Sequence, residues 1–356
     1  MTAIRTLALT GGPTERGRAH GRAYASEIRR YTEDRIEILA AGTWTDNAIG
    51  REAILDLATQ MLPAHQSYAP DLYEEMVAIG DAAGLSAAEM VIVGGFTDVV
   101  DVVRGSFGRA PVEDTCTAFM VPDHRADGAG FYGQTWDMHD SATEHILMLE
   151  MVGDDEPRSL VFTTVGCVGQ IGMNDAGVAV GINNLTAQVG KPGVTWPFVV
   201  RKALQQHTLQ AAKACVVDAD LSGAHNYLLF DSNGDGVSIE AMPGTLSVEI
   251  LDGQSVAHTN HCRDPVARNE EATRPEPLQA SSEARFDRAI SLLDRDTVTL
   301  DDLIALTRDP EAICQKSEPP YHIESCGAAI MRPKTGEFWA VAGRPDISEY
   351  ERFNLT

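Results

Sequence analysis

The chain has 356 residues, 44% of them hydrophobic, and carries 52 Asp and Glu against 28 Lys and Arg for a net charge of −24. That length and composition suit a soluble protein with a sizeable core, built as one large domain or two ordinary ones. The acidic balance repels nucleic acid and anionic membrane surfaces, so neither is expected as a partner. No apolar stretch approaches the roughly 20 residues of a transmembrane helix. The opening segment "MTAIRTLALTGGPTERG" lacks the apolar region and cleavage site of a signal peptide. Cys116, Cys167, Cys215, Cys262, Cys314 and Cys326 are scattered without a CxxC pair. They read as reduced thiols, which points to the cytoplasm.

The first hundred residues read mostly as helix, with Tyr24, Ile28, Tyr31 and Ile38 near helical spacing. "PDLYEEMVAIGDAAG" predicts a helix opened by Pro70, with Leu72, Met76, Ile79 and Ala83 on one face. In "LSAAEMVIVGGF" Ser86 and Glu89 have the spacing of a capping box. "GSFGRAPVED" reads as a loop. From Cys116 onward short strand-like runs alternate with turns, from "CTAFMV" to "GVAVGINNL". "WPFVVRKALQQHTLQAAKACVV" returns to helix. A second strand set follows in "NYLLFDS", "GVSIEAM", "SVEILD" and "SVAHTNH". "SSEARFDRAISLL" predicts a helix capped by Ser281 or Ser282, which "TLDDLIALTRD" continues. "CGAAIMR" and "EFWAVAG" form a hairpin around "PKTG". Two batches of antiparallel strands, each followed by helices, bury themselves as two sheet layers with helices outside. The expectation is one α+β domain over residues 1–356.

Several motifs fail on their own chemistry. "DSNGDGVSIEAM" places Asp231, Asn233, Asp235 and Gly236 like a calcium loop, but Met242 stands where a bidentate Glu belongs. It reads as a tight hairpin turn. His258, His261 and Cys262 in "HTNHC" cannot all converge on a metal if the segment is a strand. "GCVGQIG" is not a dinucleotide fingerprint, and no G-x-S-x-G elbow occurs. No metal or cofactor is implied, unless a coenzyme A thioester is itself a substrate.

Cys116 stands apart because it opens a strand-like run after a polar loop containing Glu113 and Asp114. It is either a small buried hydrophobe or a nucleophile in need of a base. His139, His258 and His261 are candidate bases for a papain-like site. Alternatively, cleavage of the Thr115–Cys116 bond frees an α-amine that titrates near pH 7.7–8.0 and serves as the base. As ordinary residues, Asn183 and Asn260 would cap strand ends, Asp137 would sit in a turn, and Arg285 would lie on a helix surface.

"DTCTAF", "GQTWDMH", "GQIGMNDAGVAVGINNL", "HTNHC", "SSEARFDRAISLL" and "CGAAIMRPKTGEFWAVAGRP" follow one another in this order. Together they resemble the acyl-coenzyme A:isopenicillin N acyltransferase family of N-terminal-nucleophile hydrolases. The resemblance runs from "GGPTERGRAHGRAYASEI" to residue 345, nearly the whole chain. It implies a four-layer αββα sandwich of two antiparallel sheets. It implies self-cleavage between Thr115 and Cys116, leaving fragments 1–115 and 116–356 together as a heterodimer, with a higher homo-oligomer left open. Cys116 matches the nucleophile, Asp137 the acid that orients its amine, and Asn260 and Asn183 the oxyanion side. Arg285 matches a helical arginine of less specific role. The implied activity is hydrolysis of a small N-acyl substrate through a thioester. The alternatives are acyl transfer to an amine and a non-catalytic binding relative that stays uncut. The chain departs from the family at Thr115, where many relatives have Gly, and at Thr135, where many have Asn. A β-branched residue at 115 does not take a positive φ comfortably and restricts the strained loop that self-cleavage needs.

Overall fold

The structure, a computed structural model, describes residues 3–41, 49–107, 115–153 and 156–355. A short strand, β1 (Thr6–Thr10), precedes five helices: α1 (Pro13–Ala41), α2 (Arg51–Tyr68), α3 (Pro70–Ala83), α4 (Ala87–Gly94) and α5 (Phe96–Phe107). Local signals set α3 and α4 as expected. Pro70 opens α3 and Gly84 ends it in the left-handed region, which costs a glycine nothing. Ser86 and Glu89 form a complete capping box on α4. Most of the expected loop at 105–114 lies outside the described residues, but Gly105 to Phe107 belong to α5.

Strands β2 (Thr115–Val121) and β3 (Phe131–His139) are followed by β4 (Ile146–Val152), β5 (Ser159–Thr164), β6 (Ile171–Asn174) and β7 (Val178–Asn184). The helical stretch after them divides into α6 (Trp196–Leu204) and α7 (Leu209–Val217), because Thr208 caps a new start. Then come β8 (His225–Asp231), β9 (Gly236–Ala241), β10 (Leu246–Ile250) and β11 (Val256–His258). The segment 231–242 is the expected hairpin, and Asp231 uses its carboxylate on the Asn233 and Asp235 amides. Helix α8 (Pro265–Arg268) leads to α9 (Glu276–Leu293) and α10 (Leu300–Thr307). Two expectations fail here. Helix α9 starts five residues before Ser281, with Pro275 at its N-cap, so neither serine caps it. Helix α10 is separate, with its own Thr299–Asp302 capping box. The chain closes with the expected hairpin β12 (Ile323–Arg332) and β13 (Glu337–Ala342), and a further strand, β14 (Glu351–Asn354).

The strands form two sheets, ordered β1-β4-β5-β6-β7-β8-β9-β10 and β11-β2-β3-β12-β13-β14. All pairs are antiparallel except β1 with β4, which is parallel. Helices α6 and α7 cover the outer face of the first sheet, and α9 and α10 cover the second. The inner faces meet through β2, β3 and β12 against β6, β7 and β8. This is the αββα sandwich. The N-terminal helices add to the same apolar core. Among the described residues no single helix is long and apolar enough to cross a membrane.

Two polar rivets join the sheets. Gln134 of β3 accepts from the Ile182 amide of β7 (3.0 Å) and donates to its carbonyl (3.0 Å). Gly181 permits this approach, since a Cβ there would overlap Gln134 and Tyr132. His258 of β11 bonds Glu240 of β9 at 2.9 Å. Burial opposes ionisation of Glu240, but hydrogen bonds from His258, Arg263 and Asp264 outweigh it and hold the carboxyl below its ordinary value.

Candidate active site

Cys116 is the second residue of β2 and is fully buried. Side chains alternate along a strand, and Cys116 shares a face with Ala118. That position pairs with His258, whose ring reaches Glu240 in the other sheet. Cys116 therefore points between the sheets, and Thr117 points toward α9.

The β11–β2 register pairs His258 with Ala118, and two further residues bring Asn260 opposite Cys116. Asn260 is held at every polar atom. Its Oδ1 accepts from the Cys116 amide (2.8 Å), its Nδ2 donates to the Asn184 carbonyl (2.9 Å), and its amide donates to Ser282 Oγ (2.9 Å). Arg274 donates to its carbonyl. In the continuous chain the oxygen of Asn260, rather than its amino group, faces Cys116.

Arg285 comes from α9 and is fully buried, not on a helix surface. Its guanidinium donates to the Cys116 carbonyl (2.5 Å), Thr117 Oγ1 (3.2 Å) and Asn260 Oδ1 (2.9 Å). Its fork thus grips the backbone of the candidate nucleophile and the residue opposite it.

Asp137 lies in β3 opposite Thr115 and is also fully buried. It accepts from Thr115 Oγ1 (3.3 Å) and Ser325 Oγ (2.6 Å). Burial pushes its carboxyl up to about 6, against the pull of Arg285 and of hydrogen bonds from Ser325, Thr135 and Thr115. Thr115 itself is ordinary strand. Asp127 and His322 are the non-glycine residues at positive φ among the described residues, so the β-branched side chain fits without strain.

Asn183 sits in β7 two residues after Gly181 and so faces the second sheet. It is fully buried, and neither atom of its carboxamide has a hydrogen-bond partner. An unpaired buried amide costs about 1–3 kcal/mol. The three histidines turn elsewhere. His258 bonds Glu240, His261 bonds Ser282 at 2.8 Å, and His139 bonds Ser141 at 2.9 Å. Among the described residues no group of three His, Cys, Asp or Glu side chains is placed to hold a metal ion. All six cysteines are buried free thiols.

Sequence reasoning missed Ser325, Ser282 and Arg274. Ser325 stands just before "CGAAIMR", but a register shift in β12 between Ser325 and Gly327 hides its face from simple alternation. Ser282 was visible only as a helix cap. No local signal marks Arg274.

The family described as acyl-coenzyme A:6-aminopenicillanic acid acyl-transferase matches residues 124–346. That range holds Asp137, Asn183, Asn260 and Arg285, and starts just after Cys116. The 40 kDa form of an acyl-coenzyme A:6-aminopenicillanic-acid acyltransferase from Emericella nidulans is 24% identical over 286 residues, 80% of this chain and 76% of that protein. Among solved structures, a conjugated bile acid hydrolase from Clostridium perfringens superposes with a TM-score of 0.46 at 13% identity, covering 68% of this chain and 97% of its own. A Caenorhabditis elegans ortholog of N-acylethanolamine-hydrolyzing acid amidase gives 0.45 at 12% identity, covering 62% and 93%.

Proposed function

We propose a mechanism for this chain from one premise: it belongs to the acyl-coenzyme A:6-aminopenicillanic acid acyl-transferase family, and is an enzyme of amide hydrolysis or acyl transfer. The reading is a cysteine amidohydrolase that activates itself by cutting before Cys116. The Cys116 thiol adds to the Thr115 carbonyl, the C–N bond to Cys116 breaks, and the acyl chain moves to sulfur. Water then hydrolyses the thioester, leaving a Thr115 carboxylate, a free thiol and a free α-amine. The single observation that supports this most is the clamp on Cys116. Asn260 Oδ1 accepts from its nitrogen while Arg285 holds its carbonyl.

After cleavage the same acceptor would orient the amine, and Asp137 would lie beside the charge it gains in taking the thiol proton. The thiolate attacks the carbonyl of an N-acyl substrate, and Asn183 donates to the oxygen that turns negative. The amine proton passes to the leaving nitrogen, and water releases the acid. The family description also favours a second reading, in which an amine rather than water takes the acyl group.

The fragments 1–115 and 116–356 would stay together through α5. Asp98 accepts from the Trp196 amide and Asp101 from the Ala224 amide, both at 3.0 Å, and Arg104 donates to the Ala187 carbonyl. Intact mass under denaturing conditions tests the reading. Two fragments meeting at Thr115/Cys116, absent from a Cys116→Ala control, are expected. One full-length chain from both proteins would sink it and favour an uncut binding protein.

A further inference from the structure

We propose that Asn226 is a second side-chain donor to the substrate's reacting oxygen, held in position by Ser238; the inference rests on the amidohydrolase reading above. Asn226 of β8 lies directly opposite Asn183 of β7. Cross-strand neighbours on one face have Cβ atoms about 4.5–5.5 Å apart. Glu240 of β9 is opposite Asn226 in turn, and it reaches His258 in the second sheet. Asn183, Asn226 and Glu240 therefore form one row on the face that looks at Cys116.

Asn226 is fully buried, and its two amide atoms are treated differently. Ser238 Oγ donates to Oδ1 at 2.9 Å, which anchors one end of the carboxamide, and Nδ2 has no partner. Trp136, paired with Cys116 and on the same face of the second sheet, has an indole nitrogen that is also buried without a partner. Buried donors are almost always satisfied. Asn183 and Asn226 on the first sheet, and Trp136 beside Cys116 on the second, thus carry unpaired polar groups on the two inner faces that meet here. Two neutral carboxamides from adjacent strands can converge on a single oxygen as it gains charge, without reorganising.

The test uses the full chain with p-nitrophenyl esters of short acyl groups, following nitrophenolate release and the mass of the acylated large fragment. Asn226→Ala is expected to lower kcat by about 100-fold or more with KM changed less than about threefold, the pattern of a lost oxyanion donor. Ser238→Ala removes that anchor without removing the amide and is expected to lower kcat by about 3- to 10-fold, again with KM held. It also serves if Asn226→Ala fails to fold. Alkylation of Cys116 by iodoacetamide at the parent rate certifies the nucleophile in each variant. Parent-like kcat in either folded variant, or a loss carried by KM alone, overturns the role of Asn226 and leaves the amidohydrolase reading standing. A parent protein that accepts no acyl group overturns that reading, and this inference with it.

Discussion

Replacing Asp137 by Asn in a chain that also carries Cys116→Ala, and so stays uncut, separates what the carboxylate does to the fold from what it does for the reaction. Asp137 is fully buried, and burial lifts its carboxyl from an ordinary 3.8 to about 6. That difference corresponds to roughly 3 kcal/mol. The folded chain holds this proton more tightly than the unfolded chain. The stabilisation is complete below pH 3.8 and is lost as pH rises through 6. At pH 7.5 the folded parent thus carries the cost of a buried charge that an amide avoids. Asn keeps an acceptor for Ser325 but loses the extra strength of a charged one, about 1 kcal/mol. The net expectation at pH 7.5 is a gain of roughly 1–2 kcal/mol for Asp137→Asn, or about 1–3 °C in Tm for a chain this long. The gain disappears by pH 4. Circular-dichroism melts of both chains at pH 4 and 7.5 read this directly. With Cys116 intact, the same substitution is expected to slow self-cleavage by about 100-fold. A Tm difference independent of pH, or one that favours Asp at pH 7.5, refutes the reasoning.

Arg285→Lys keeps the charge beside Asp137 but removes the fork that spans Cys116, Thr117 and Asn260. A fall in kcat of about 10- to 100-fold is expected, measured on purified, cut enzyme. Glu240→Ala leaves His258 Nε2 and the amides of Arg263 and Asp264 without their acceptor. It is expected to lower stability by about 3–5 kcal/mol, seen as a reduced denaturant midpoint.

Features with local causes were legible in the sequence. The Ser86–Glu89 box, the Pro70 start and the turn at "PKTG" are decided by residues three or four positions apart. The parallel pairing of β1 was not, since its partner β4 lies about 140 residues away and "TLALT" is too short to declare itself. Ser282 illustrates a competing use of one residue type. Its hydroxyl suits a helix cap, but the prolines at 275 and 277 start α9 earlier and leave Ser282 to hold Asn260. At the site, the order of motifs singled out Cys116, Asp137, Asn260 and Arg285, and the fold brings these four together. What each atom faces was beyond the sequence. The amide orientation of Asn260 depends on Asn184 and Arg285, 76 and 25 residues away. The polar row through Asn226 exists only once β7, β8 and β9 are in register.

Gln134 has one more consequence. Pairing between β6 and β7 stops at Val180, so the last four residues of β7 lose their neighbour on that side. Bare strand edges invite other chains to add on. The carboxamide of Gln134 offers one donor and one acceptor to the Ile182 peptide, the same pair of bonds a passing strand would make. A single side chain thus impersonates a missing strand, and the end of β7 presents no sticky seam where it runs past the last residue of β6 that it pairs with.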